Sequence, residues 1–153
     1  MERGVQTIFC DDIRHEVGGK ISFIGVYSEA LLVPSFPITL PKLCLSIKII
    51  TPAERPFLKV AIRILKDDEV MAEAALDDAM LAKIVEDAGE VPKDQQQNRV
   101  QALQSIMVFS PFQLDRPCLL RVRVDSEEGE HKGLGLRVRA APIEPSVPNK
   151  QPN

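Results

Sequence analysis

A chain of 153 residues has the size of a single domain, long enough to bury a hydrophobic core without a disulfide or metal to hold it together. With no Trp, one Tyr and six Phe, that core must be mostly aliphatic, and a ring-built carbohydrate platform or base-stacking surface is excluded. A net charge of −3 supplies no bulk attraction to nucleic acid or to an anionic membrane, so neither is expected as a partner.

The first strand is predicted over residues 5–10 and ends at Asp11 and Asp12, because short acidic side chains favour turns. Gly18-Gly19 marks a second turn. From Lys20, one face carries Ile21, Phe23, Gly25 and Tyr27 and the other Ser22, Ile24 and Val26. Both faces are apolar, which predicts a central strand, with Gly25 at a bulge or a close backbone approach. An apolar run at 30–33 precedes PSFPITLP, whose prolines predict an extended connection or an edge. Leu43, Leu45, Ile47 and Ile49 alternate with Lys42, Cys44, Ser46 and Lys48, a strand buried on one face. Leu58, Val60, Ile62 and Ile64 repeat that pattern, and Lys66-Asp67-Asp68 turns the chain into a returning strand over 69–76.

The period then changes. Leu76, Met80, Leu81, Ile84, Val85 and Ala88 predict a short helix held by its apolar face, with Asp77 or Asp78 as N-cap and Gly89 as the stop. The polar residues 90–104 are expected to form a mobile loop. A buried strand follows at 106–109. Leu120, Val122 and Val124 alternate with Leu119, Arg121 and Arg123; after a turn over 126–133, Leu134, Leu136 and Val138 alternate with Gly135, Arg137 and Arg139. About eight short strands without a βαβ rhythm predict an all-β antiparallel β-sandwich over 1–142, immunoglobulin-like or C2-like in shape, with one short helix in an insertion. A small closed barrel is the alternative. Residues 143–153 form a proline-rich tail with nothing to bury, expected to be disordered.

The phrases FCDDIR, GGKISFIGVY and LPKLCL resemble an uncharacterised family of small bacterial proteins. Its members carry an N-terminal cDD.R.E..GK.S.IG.Y phrase and a downstream LPKL phrase. Those positions are here Cys10, Asp11, Asp12, Arg14, Glu16, Gly19, Lys20, Ser22, Ile24, Gly25 and Tyr27, then Pro37, Leu40, Pro41, Lys42 and Leu43. The resemblance covers the first third of the chain. It implies a bacterial β-sandwich domain of unassigned function and brings no catalytic residues with it.

Site chemistry is sparse. Asp11, Asp12, His15 and Glu16 lack the spacing of a calcium loop and the second histidine of a zinc site, so the signature residues Asp11, Asp12, Arg14, Glu16 and Lys20 read as a structural turn. Gly18-Gly19-Lys20 precedes a strand where a phosphate loop needs a helix. Cys10, Cys44 and Cys118 form no CxxC motif and lie in or beside apolar runs, which predicts free buried thiols. Together with the absence of an apolar leader or spanning segment, this predicts a cytoplasmic protein. Arg121, Arg123, Arg137 and Arg139 form the candidate interaction face, their mutual repulsion offset by carboxylates of a neighbouring strand, with Glu69 and Glu73 the nearest by pattern, or by an acidic partner; the negative net charge and the lack of interleaved aromatics favour the first. The resulting expectation is a non-enzymatic protein-interaction module without cofactor or metal, binding a protein partner or itself. The alternative is a ligand- or cation-binding sandwich that uses the acidic pairs Asp11–Asp12, Asp67–Asp68 and Glu127–Glu128.

Overall fold

A computed structural model describes residues 2–89, 92, 94 and 99–143. Among them run β1 (Gly4–His15), β2 (Ile21–Val26), β3 (Ala30–Val33), β4 (Ile38–Leu40), β5 (Leu43–Pro52), β6 (Val60–Lys66), β7 (Glu69–Leu76), α1 (Asp78–Asp87), β8 (Val100–Phe109), β9 (Phe112–Leu114), β10 (Cys118–Ser126) and β11 (Gly129–Ala140). They build a four-stranded sheet in the order β2-β1-β5-β8 and a five-stranded sheet in the order β3-β11-β10-β6-β7, with β4 and β9 as a separate ribbon. The fold is all-β and sandwich-like, with no closed barrel. Every pairing is antiparallel except β3 with β11, which is parallel.

The core follows from strand alternation. Phe9, Leu43, Leu45, Ile47 and Ile49 of the first sheet meet Val60, Ile62, Ile64, Leu120, Val122 and Val124 of the second in one apolar cluster. The β4–β9 ribbon adds Phe112 and Leu114. The helix is capped as its sequence predicts: the Asp77 carboxylate accepts from the Met80 NH at 2.8 Å, and Gly89 takes a positive φ beyond the last turn. Its packing is slighter than expected, since Leu81 alone is fully buried and Met80 and Val85 are exposed.

Several sequence expectations are corrected. β1 runs straight through Asp11 and Asp12 to His15, and the reversal lies at Val17–Gly19. β2 lies at a sheet edge, not in the middle. Residues 100–104 are the first half of β8, not loop. The turn at 126–133 shrinks to Glu127 and Glu128, with Ser126 facing Gly129 across the hairpin. Leu58 is exposed ahead of β6. Residues 144–153 lie outside the described chain, as does most of 90–98.

Leu134 does not face the core. Between Leu120 and Val122 the β10–β11 register shifts from Leu136 to Gly133, one extra residue on β11. Such a bulge turns the following side chain over; Leu134 is 81% exposed, while Leu136 and Val138 are buried. Gly135 permits it, because a Cβ there would stand 2.4 Å from the Leu120 carbonyl oxygen. Leu136→Ala should therefore cost about 2–5 kcal/mol in denaturant unfolding, and Leu134→Ala within about 0.5 kcal/mol of nothing. Equal losses at the two positions would contradict the bulge.

Candidate functional site

The residues of the N-terminal phrase and of LPKL meet in the first sheet. Antiparallel pairing places Cys10 between Val26 and Cys44, and Cys44 in turn faces Val108. On this outer face the two cysteines are 0% and 1% exposed, while Val26 and Val108 are 54% and 56% exposed. Beside them Asp12 accepts from Lys42 Nζ at 2.6 Å and from its own neighbour's backbone, Ile13 N, at 3.0 Å, with Arg14 Nε at 3.6 Å. The Lys42 bond holds the Asp12 carboxyl below the usual carboxylate range and raises Lys42 in return. Asp11, on the opposite face, accepts from the Tyr27 hydroxyl. A Cβ on Gly25 would come within 2.2 Å of Asp11 Oδ2, and the residue also has φ +66°. The expected close approach at Gly25 is thus to a carboxylate. Arg14, His15, Glu16 and Lys20 are exposed or half-exposed; Glu16 N bonds to Lys20 O at 2.8 Å and closes the hairpin through backbone alone.

Arg3 carries no sequence signal, yet it is the most committed polar side chain. Its side chain is 2% exposed and pairs with Glu127. It donates to Thr51 Oγ1 (3.0 Å), Ser126 Oγ (3.2 Å) and the carbonyls of Arg55 and Pro56, and it lies 4.4 Å from the Phe57 ring centroid. Burial alone would raise the Glu127 carboxyl. The Arg3 guanidinium and the NH groups of Leu58 and Lys59 overcome it and hold the group down at about 2. Ser126 Oγ and His131 Nε2 lie 2.9 Å apart, but the same oxygen accepts from Arg3 and from Glu128 N, so this pair fastens the hairpin end.

The acidic pairs considered for a cation are already engaged. Asp67 accepts from Leu119 N and pairs with Arg116; Asp68 pairs with Arg121; Glu128 pairs with Arg3 and Arg55. Among the described residues no group of three or more His, Cys, Asp and Glu is arranged to hold a metal ion. The arginines share one face, but Glu69 and Glu73 are not the residues that offset them. Arg121 meets Asp68 at 3.2 Å and Arg123 meets Glu130 at 3.6 Å, while Arg63, directly opposite Arg123, takes Asp125 and Glu130 at 2.8 Å. Arg137 and Arg139 are exposed, and no ion pair to another described residue is made by either.

Four strands lie at the edges of the two larger sheets, and three of these are guarded in the ways edges usually are. β2 is short and contains Gly25, β3 has four residues and runs into Pro34, and β7 carries two glutamates and a register shift against β6. β8 differs. Its ten residues, VQALQSIMVF, include no charge, proline or glycine, and all ten face β5 without a shift, from Phe109 opposite Leu43 to Val100 opposite Pro52. Its other side has no strand among the described residues. A groove of about 520 Å³ runs along residues 100–104, walled by Leu76, Ile84, Asp87 and Ala88. A narrower cavity of about 130 Å³ continues past Ser105 and opens onto Ile49, Val60 and Ile62. Sequence reading missed this edge because Gln101 and Gln104 fall on opposite faces and break the apolar alternation.

These features define a two-sheet β domain built around a fixed set of N-terminal residues. The chain belongs to a family of unknown function (DUF6941), which matches residues 6–139 and so takes in both sheets. No curated protein and no solved structure matches it. Among the described residues no helix is long and apolar enough to cross a membrane.

Two titrations test this geometry. Burial, and then the bond to Asp11, push the Tyr27 hydroxyl above its ordinary value of 10. Tyr27 is the one tyrosine and there is no Trp, so ultraviolet absorbance reads it directly. The folded protein should ionise at higher pH than the unfolded chain, and Asp11→Asn should narrow that gap; coincident titrations would refute the contact. For Glu127 the folded value lies below the ordinary 4.5, so its stabilisation is full above about 4.5 and is lost as pH falls toward about 2. Glu127→Gln should flatten stability against pH across that window, and an unchanged slope would count against the Arg3–Glu127 pair.

Proposed function

We propose that this protein is a non-catalytic interaction module that takes up an extended polypeptide segment as an added strand on β8. The single observation behind the reading is the contrast among these edges: three are guarded, and the longest is uncharged, unshifted in register and bordered by a groove of mixed polar and apolar lining. Main-chain groups on such an edge supply affinity to any extended segment, and pockets for alternate side chains supply selectivity. The cation-binding alternative is disfavoured by the engagement of its carboxylates with basic side chains and backbone NH groups. The arginine face remains the competing surface through Arg137 and Arg139.

The test uses peptides selected from a displayed random library against the full chain. In a strand the NH and carbonyl of one residue point to the same side, so either residue 104 or residue 105 directs its NH to the free edge. Of Gln104→Pro and Ser105→Pro, the one that keeps the wild-type melting behaviour is the one that leaves the β5 ladder whole. That variant should lose at least about tenfold in affinity for the selected peptides, roughly the worth of one to two edge hydrogen bonds. Bound peptide should also slow hydrogen exchange along β8. Unchanged binding by the stable proline variant, or protection confined to the strands bearing Arg121 and Arg137, would overturn the reading.

A further inference from the structure

The strand that fits this edge is β8 of a second copy. We infer that two chains pair β8 to β8 antiparallel about a two-fold axis at Gln104, joining their four-stranded sheets into one of eight. The inference rests on the strand-addition reading and names its occupant.

The first argument is register. Directly opposed residues in an antiparallel pair point to the same face, so a two-fold axis through a continuous sheet must pair positions of like parity. Centring on Gln104 sets Gln104 against itself, Ala102 against Ile106 and Val100 against Val108 on the outer face. On the inner face it sets Leu103 against Ser105 and Gln101 against Met107. β8 has no charged residue, so no like-charge contact arises anywhere along the ladder. β7, the other long edge, would oppose glutamates in its own two-fold pairing that placed Glu69 or Glu73 near the axis.

The second argument is shape. The 100–105 half of β8 is walled by α1 and the end of β7. Two-fold pairing brings the 106–109 half of each strand into the groove of the other copy. Each groove is then filled once, and the interface closes on itself without an open edge left to propagate.

The third argument is the outer face. Val100 and Val108 are each about half exposed on the isolated chain. The pairing brings each against the other copy's counterpart at both ends of the ladder, so the exposed apolar positions nearest the edge cover one another.

Sedimentation of the full chain tests the state, and substitutions at Gln104 test the register. The wild type should shift from monomer to dimer as its concentration is raised to about 100 µM, where a strand-mediated pair is expected to be populated. Gln104→Lys and Gln104→Glu each place like charges across the axis and should weaken the dimer about fivefold, while a mixture of the two should recover it as a heterodimer. Recovery on mixing also shows that neither variant has merely failed to fold. Under diamide, the thiol introduced by Gln104→Cys should link two chains on a non-reducing gel, whereas Gln101→Cys and the wild type should not. A wild type that stays monomeric, a dimer indifferent to both charges, or equal crosslinking from positions 101 and 104 would overturn the inference. A monomeric wild type whose stable proline variant still loses selected peptides would sink the second copy as occupant and leave strand addition standing. Peptide binding unaffected by that variant would sink both.

Discussion

The β1–β5 pairing is the constraint on which the first sheet depends. Seven consecutive partners, from Gly4 opposite Ile50 to Cys10 opposite Cys44, fix which residues of both strands face the core. A slip of β1 by one residue against β5 would send Phe9 outward and bring Ile8 in. The signature residues resist that slip from both sides of the sheet. Asp12 is tied to Lys42 on the outer face and Asp11 to Tyr27 on the inner, while Cys10 and Cys44 oppose each other fully buried. Cys10, Asp11 and Asp12 therefore act with Tyr27 and Lys42 as a register lock, which ties residues about thirty positions apart in sequence.

The second sheet is held by a different device. Its centre, β10, is apolar on one face and charged on the other, and the charges are arranged in alternating signs across strands: Arg63 with Asp125 and Glu130, Arg123 with Glu130, Arg121 with Asp68. These pairs are partly exposed and contribute little stability individually. Their effect is to let β6 and β10 carry arginines side by side without mutual repulsion. The strands at the other edge, β3 and β11, lack this neutralisation at Arg137 and Arg139 among the described residues, which is why that end of the face stays cationic.

Much of this was legible in the sequence where period two is strict. Leu43 to Ile49 and Leu120 to Val124 announce their strands and their buried faces, and Asp77 and Gly89 announce the helix ends. The misses have identifiable causes. Asp11-Asp12 has turn chemistry, but its carboxylates are satisfied from outside the segment, by Tyr27 and Lys42, so the strand continues. The bulge in β11 needs Gly135 against the Leu120 carbonyl, a contact set by a neighbouring strand. Parallel pairing of β3 with β11 joins residues over a hundred positions apart with no local signal. β8 is masked by two glutamines that an edge position tolerates and a central one would not. Arg3 is a lone cation near the end of the chain, and nothing around it in sequence forecasts its burial.

Arg3 also sets an order on the synthesis of the chain. β1, β2 and β5 precede every strand of the β10–β6–β7 group in synthesis and can pair before it is made. The guanidinium that flanks β1 cannot be satisfied then, because Ser126 lies 123 residues downstream and Glu127 follows it. Until the β10–β11 hairpin emerges, the nascent first sheet holds an unpaired cation at one end and the unguarded β8 edge at its side. Closure of the sandwich is therefore a long-range event whose loop-closure entropy is met only once the β10–β11 hairpin has emerged. The interval before it is when neighbouring nascent chains on one message are most exposed to each other's strands.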